Sequence, residues 1–135
     1  MAYSLERQKT ISTPYVYIDE KTGYMKLEGR CFHEKVIEFF KDVDDWLNDY
    51  LNSDFVLFTF DCVLEYINSS TTKILYNMLL KMDKHAVNNN KVVVNWITTG
   101  GNEIMVECGE DFKEEMENLE FNIILCTRES IAAYK

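Results

Sequence analysis

The stretch Asn-Ser-Ser-Thr-Thr-Lys at residues 68–73 constrains the fold most, because it places small polar residues between two hydrophobic segments. Before it, residues 55–67 (FVLFTFDCVLEYI) are rich in β-branched and aromatic side chains, which predicts a strand buried on both faces. After it, apolar residues recur at helical spacing: Ile74, Leu75, Met78, Leu79 and Met82. The sequence therefore predicts a strand-to-helix corner at residues 68–73.

The polar side chains of this corner have two interpretations. Asn, Ser and Thr side chains accept hydrogen bonds from the first free N–H groups of a helix, and spacing alone favours this capping role. Alternatively the corner is a phosphorylation switch, since a phosphoryl group here would meet free N–H donors and the positive end of the helix dipole. The corner residues by themselves leave both interpretations open.

The composition predicts one domain with a protein or small-molecule partner. A chain of 135 residues that is 47% hydrophobic can bury about two-thirds of its unfolded surface in one core. Fourteen basic against 23 acidic residues give a formal charge of −9, and no basic cluster offsets it. This charge argues against nucleic acid or an anionic membrane as the partner.

The apolar segments and the cysteines indicate a cytoplasmic protein. The chain lacks the apolar run of a signal peptide and any stretch near the ~20 residues of a membrane span, so no membrane insertion is predicted. The cysteines are widely spaced, without a CxxC pair, and are predicted to be reduced packing residues: Cys31, Cys62, Cys108 and Cys126.

The order of elements predicts an α/β fold. Residues 1–12 are polar and are expected to be a flexible segment, followed by one domain over residues 13–126 and a short tail at 127–135. The strands are predicted at residues 15–18, 24–28, 55–67, 91–97 and 120–126, and the helices at 33–51, 74–87 and 103–117. Gly29 is expected to close the first two strands, and the asparagines at 88–90 to end the second helix.

This order, ββαβαβαβ, predicts a single-domain mixed sheet. An N-terminal antiparallel hairpin is followed by strands that alternate with three helices, and such alternation implies parallel neighbours joined by right-handed crossovers.

The residues offer little for catalysis or metal binding. Neither His33 nor His85 has a partner at metal-ligand spacing, so both are predicted to be surface histidines. Asp61 and Glu65 lie on one strand face and suit either an acid–base pair or, as we expect, separate hydrogen-bond partners. Neither a catalytic residue nor a metal ligand is assigned.

Two further features keep alternatives open. Gly100-Gly101 follows a strand as phosphate loops do, although the patterns of known phosphate loops are absent. A small-ligand or enzymatic site would use this pair and the corner at 68–73. The acidic residues between 107 and 117 indicate a solvated helix face or a contact with a basic partner.

Four blocks of sequence form a recognisable combination along almost the whole chain. They are Ser12-Thr13-Pro14 with Asp19 and Gly23; Gly29 followed by a helix that ends in Trp46-Leu47 and Tyr50-Leu51; Tyr66-Ile67-Asn68-Ser69-Ser70 with Lys73; and residues 92–96 followed by Gly109-Glu110-Asp111-Phe112. In this combination the chain resembles the SiaC family of bacterial regulatory phosphoproteins. That family is similar to STAS domains, the fold of anti-sigma-factor antagonists, so the resemblance implies a STAS-like sheet.

The resemblance also implies a function. Family members are non-catalytic switch proteins without a cofactor, phosphorylated by a partner kinase and dephosphorylated by a PP2C-type phosphatase. Their unmodified form binds a signalling partner, in the best-understood systems a diguanylate cyclase. By position the acceptor falls on Ser69, with Ser70 as the second candidate. Asn68, Thr71, Thr72 and Lys73 are expected to support the phosphoryl group. A constitutive scaffold, in which the corner is only a cap, remains an alternative.

Overall fold

The chain folds into one sheet covered by helices, as the alternating pattern predicts. The computed structural model describes residues 2–87, 90–127 and Glu129, and within them the chain forms six strands and three helices. The elements are β1 (Ser4–Arg7), β2 (Tyr15–Asp19), β3 (Tyr24–Cys31), α1 (Val36–Leu51), β4 (Leu57–Ile67), α2 (Ser69–His85), β5 (Lys91–Thr99), α3 (Glu103–Glu115) and β6 (Glu120–Cys126). Over these residues, no helix is both long enough and apolar enough to cross a membrane.

The strands lie in the sheet in the order in which they occur in the chain. Strands β1, β2 and β3 pair antiparallel, whereas β3 to β6 pair parallel. Because right-handed crossovers always step to the next strand, α1, α2 and α3 all lie on the same face of the sheet. The buried core lies between that face and the helices; its largest strand side chains are Ile18, Met25, Leu27, Phe58, Phe60 and Trp96. The predicted mixed α/β sheet is confirmed.

The other face of the sheet carries a row of polar side chains that are hydrogen-bonded across the strands. The Tyr24 hydroxyl donates to Asp61 Oδ2 (2.7 Å), and Asn95 Nδ2 donates to Asp61 Oδ1 (2.9 Å). Asn122 Nδ2 in turn donates to Asn95 Oδ1 (3.1 Å). The prediction that β4 is buried on both faces is therefore wrong for much of the strand, where side chains alternate between buried and half-buried.

The start of the ordered domain is a further correction. Residues 1–12 were expected to be flexible, but Ser4–Arg7 forms β1, so the order is βββαβαβαβ. Contacts with α1 anchor this segment: the Trp46 ring stacks on Tyr3, and Arg7 donates from Nη1 to Phe39 O (3.1 Å) and forms an ion pair with Asp42. A four-residue strand has too short an alternation to be distinguished from a polar tail in the sequence.

Several element boundaries also differ from those predicted. Strand β3 does not close at Gly29 but continues to Cys31, and Gly29, with φ 117°, lies at a register shift against β4. Helix α1 begins at Val36, because His33 Nδ1 accepts a hydrogen bond from Lys35 N and holds that segment in a turn. Helix α2 ends at His85 and α3 at Glu115; Asn88 and Asn89 and most of the tail at 127–135 lie outside the described residues.

Helix α3 is held against β5 by the indole of Trp96. Trp96 Nε1 donates to the carbonyl oxygen of Met105 (2.8 Å), and the ring lies directly under Gly109. A Cβ atom at Gly109 would overlap Trp96 Cδ1 and lie 2.6 Å from Nε1. Gly109 is therefore required for close packing of α3 on β5.

We expect Gly109→Ala to destabilise the domain. The added methyl group has to displace a buried indole, and such overpacking costs about 1–3 kcal/mol. The matched control is Gly100→Ala, whose Cβ would meet no atom within 4 Å. Chemical denaturation of both variants measures the difference, and equal unfolding free energies would contradict the packing role of Gly109.

Candidate functional site

The corner at residues 68–73 is held by the carbonyl group at the end of β3. Asn68 N donates to Cys31 O (3.2 Å), and the Thr71 hydroxyl donates to the same oxygen (3.2 Å). Thr71 is completely buried, and its hydroxyl also lies 3.3 Å from Cys31 Sγ. Burial raises the pKa of the Cys31 thiol, so this sulfur stays protonated near neutral pH. The ends of β3 and β4 and the start of α2 are thereby joined.

Asn68 is the residue that caps α2. Its Oδ1 accepts a hydrogen bond from Thr71 N (2.9 Å), and its carbonyl oxygen accepts from Thr72 N (2.9 Å). The Thr72 hydroxyl donates its only proton to the same carbonyl oxygen (3.0 Å). The predicted strand-to-helix corner is confirmed, and Asn68 performs the capping that sequence spacing favours.

Thr71 and Thr72 do not fit their predicted role as phosphate-supporting hydroxyls. The Thr71 side chain is buried, and both hydroxyl protons are donated to backbone carbonyl groups. Neither side chain therefore has a donor to offer to a phosphoryl group. The sequence could not reveal this, because the acceptor of Thr71 lies 40 positions away in the chain.

Ser69 and Ser70 are the two exposed hydroxyls of the corner. Both occupy the first turn of α2, and neither side chain forms a hydrogen bond with any described residue. Since Asn68 supplies the cap, these serines are not needed to begin the helix. Their hydroxyl groups are accessible and uncommitted.

The first turn of α2 and Lys73 favour an anion on the serines. The first turn of α2 contains no acidic residue, and its N–H groups carry the positive end of the helix dipole. Lys73 is exposed one turn further along, and in the part of the chain that the structure describes no carboxylate forms an ion pair with it. A negative group on Ser69 would therefore meet N–H donors and a cation.

Two exposed aromatic side chains lie beside the corner. Phe32 follows β3 and Tyr66 precedes the end of β4, and their rings meet edge to face with centroids 6.0 Å apart. Phe32 is 39% and Tyr66 46% exposed, although both are large and apolar. The two rings together form a small exposed aromatic patch at the corner. The sequence contains no signal for this pair, because Tyr66 lies at the end of the strand predicted at 55–67 whereas Phe32 lies beyond the predicted end of the strand at 24–28.

The features weighed for catalysis have structural partners. Asp61 belongs to the polar row on the sheet, while Glu65 Oε2 accepts from Arg30 Nε (3.2 Å), so the expectation of separate partners is confirmed. A Cβ atom at Gly100 or Gly101 would meet no described atom within 4 Å, so neither glycine is required by a close contact with the described residues.

Potential metal ligands and thiols do not converge. His33 and His85 are hydrogen-bonded locally, and among residues 2–87, 90–127 and 129 no group of three potential metal ligands is found. All of the cysteines are free, as predicted, and burial raises the pKa of Cys108 to about 11.

The mixed sheet with helices on one face and the exposed hydroxyl corner define a STAS-like regulatory domain. The family model described as SiaC family regulatory phosphoprotein matches residues 7–126, and the chain therefore belongs to the SiaC family.

Known relatives agree with this assignment. An uncharacterised protein of Pseudomonas aeruginosa (strain UCBPP-PA14) is 27% identical over 106 residues, which cover 78% of this chain and 84% of that protein. The crystal structure of apo-SiaC from Pseudomonas aeruginosa superposes with a TM-score of 0.84 at 25% identity, covering 90% of this chain and 98% of that one. SiaC in complex with the diguanylate cyclase SiaD, which it activates, superposes with a TM-score of 0.82 at 28% identity, covering 90% and 99%.

We expect Asn68→Ala to destabilise the domain and Ser69→Ala to leave its stability unchanged. Loss of the cap costs about 1 kcal/mol, whereas an exposed serine without a hydrogen bond contributes within about 0.5 kcal/mol. Ser70→Ala is the matched control for Ser69→Ala. Urea denaturation of the variants measures these differences, and a loss on Ser69→Ala as large as that on Asn68→Ala would show that the serine takes part in capping.

Proposed function

We propose that this protein is a non-catalytic phospho-switch that binds a signalling protein through the surface around the corner at residues 68–73. The observation that carries the proposal is the pair of exposed serine hydroxyls at the start of a helix that Asn68 already caps. Membership of a family of regulatory phosphoproteins supports it. The absence of converging catalytic groups among the described residues is in keeping with a binding role.

Ser69 is the proposed acceptor and Ser70 the second candidate. The resemblance to the family implies Ser69 as the acceptor, and Ser69 shares a face of α2 with Lys73, four residues later. A phosphoryl group on Ser69 is therefore placed to interact with the Lys73 ammonium group and with the free N–H groups of the first turn. Asn68 supports the group indirectly, by holding the first turn in place.

The proposed partner is a diguanylate cyclase or a related signalling protein. Pseudomonas aeruginosa SiaC, 28% identical to this chain, is the activator of the cyclase SiaD and forms a complex with it. A protein kinase would add the phosphoryl group to the corner and a PP2C-type phosphatase would remove it. Because phosphorylation consumes ATP, the switch would operate in the cytoplasm.

The switch needs no refolding of the domain. A phosphoryl group adds about −1.5 to −2 charges to a chain whose formal charge is already −9. Burying such a charge against a partner costs several kcal/mol unless it is paired. Changing a complex from 99% to 1% occupancy takes about 5.5 kcal/mol, so one modification is of the right size to release the partner.

The direct test is to incubate the protein with ATP and a kinase encoded beside its gene, followed by intact-mass and peptide-fragmentation analysis. We expect a single phosphoryl group on Ser69, with Ser70 as the alternative position. No phosphoryl group within residues 68–73, with a kinase shown to be active, would overturn the proposed switch and favour the scaffold interpretation.

We expect a negative charge at position 69 to weaken the affinity for the cyclase. We expect Ser69→Asp to weaken binding at least about tenfold, whereas Ser69→Ala binds like the unmodified protein, because only the aspartate adds a charge at the interface. Calorimetry with the purified cyclase measures both. Ser53→Asp, beyond the end of α1 and at the opposite edge of the sheet, controls for the added charge. Full binding by Ser69→Asp would count against the mechanism.

A further inference from the structure

A groove between α2 and α3 begins at Ser69. It is lined on α2 by Ser69, Thr72, Lys73 and Tyr76 and on α3 by Asp111, Phe112, Glu114 and Glu115, and it has a volume of about 470 Å³. We refer to it as the α2–α3 groove. Ser69 is the first residue of α2 that lines the groove, so the proposed acceptor lies at one end of it.

The floor of the groove is aromatic and is packed on the core. The rings of Tyr76 and Phe112 lie nearly parallel, at 14° with centroids 6.4 Å apart. Phe112 is buried and also meets the edge of the Trp96 ring, at 5.4 Å between centroids, so the floor is continuous with the core. A partner side chain would find this apolar surface already formed and would bury it without rearrangement.

The walls of the groove carry unpaired charges of both signs. Lys73 lies one turn beyond Ser69 on α2, whereas Asp111, Glu114 and Glu115 lie on the last turns of α3. Over the described residues, none of these four side chains forms an ion pair, although other charged residues of the domain do. The sequence predicted that the acidic residues of α3 form either a solvated helix face or a contact with a basic partner. In the structure, Asp111, Glu114 and Glu115 line the same groove as the aromatic floor.

We propose that the α2–α3 groove docks a segment of the protein partner with complementary chemistry. An apolar side chain of that segment covers the partly exposed Tyr76 ring, a carboxylate pairs with Lys73, and basic side chains pair with Glu114 and Glu115. The proposal rests on the proposed function and adds to it the surface that the partner uses. It also distinguishes Ser69 from Ser70, because only Ser69 lines the groove.

The same arrangement explains how one phosphoryl group would act. A phosphoryl group on Ser69 is one helical turn from Lys73 and takes this cation as its own partner. The carboxylate of the docked segment then loses its ion pair and faces a dianion instead. Like charges placed opposite each other at an interface cost several kcal/mol, which releases the segment.

Charge reversal tests the groove with the purified diguanylate cyclase of the same organism as the probe. We expect Lys73→Glu and Glu114→Lys each to weaken binding about tenfold or more, because each reversal opposes a like charge on the docked segment. The control for the first is Lys84→Glu at the far end of α2, and for the second Glu38→Lys on α1. Each control changes the net charge by the same amount and is expected to bind within about twofold of the unmodified protein.

A double variant links the groove to phosphorylation. Ser69→Asp and Lys73→Glu both remove the contact with the same partner carboxylate, so the double variant should bind about as weakly as the weaker single variant. If the fold-losses in affinity of the two single variants simply multiply in the double variant, Ser69 and Lys73 do not act through one shared contact. All five substituted side chains are exposed, and circular dichroism checks that each variant folds.

The outcomes separate this inference from the proposed function. Normal binding by Lys73→Glu and Glu114→Lys, together with weak binding by Ser69→Asp, would overturn the groove and leave the switch in place. Normal binding by Ser69→Asp as well, or no binding of the cyclase by the unmodified protein, would overturn the proposed function itself. Weak binding by the groove variants, with normal binding by both controls, would support the inference.

Discussion

The carbonyl group of Cys31 holds together the parts of the structure on which the proposed function depends. It accepts hydrogen bonds from Asn68 N and from the buried Thr71 hydroxyl, and it thereby joins the end of β3, the end of β4 and the start of α2. Asn68 then caps the helix through its own side chain. Because these groups form their hydrogen bonds with one another, the side chains of Ser69 and Ser70 are not needed to hold the corner together. A modification there can add charge without breaking a bond that holds the fold.

The arrangement of the strands determines which surfaces the corner can use. With α1, α2 and α3 on one face, the parallel strands all end at one edge, and the exposed Phe32–Tyr66 pair lies there beside the serines. Adjacent crossovers also place α2 next to α3, which forms the α2–α3 groove. Its floor is joined to the core because Phe112 packs on Trp96, and the same indole lies under Gly109 and donates to the carbonyl group of Met105. The core and the proposed docking surface are therefore physically continuous.

Most of the architecture was predictable because it follows from local patterns. The alternation of apolar strands with amphipathic helices gave the mixed α/β sheet, and the polar interruption at 68–73 gave the corner. The errors have a common physical cause, which is that long-range partners override local signals. Strand β1 forms because Ser4–Arg7 pairs with β2 and packs on α1, and β3 extends beyond Gly29 because β4 pairs with it.

The sequence by itself determined the class of fold, the family and the position of a hydroxyl-rich helix start, since each depends on residue types at short spacing. Only the tertiary structure decided which hydroxyls are available. Thr71 is buried against a carbonyl group 40 positions away, whereas Ser69 faces the solvent. The tertiary structure alone also placed the acidic end of α3 and Lys73 in one groove, because residues far apart in the chain come together only when the crossovers place α2 and α3 side by side.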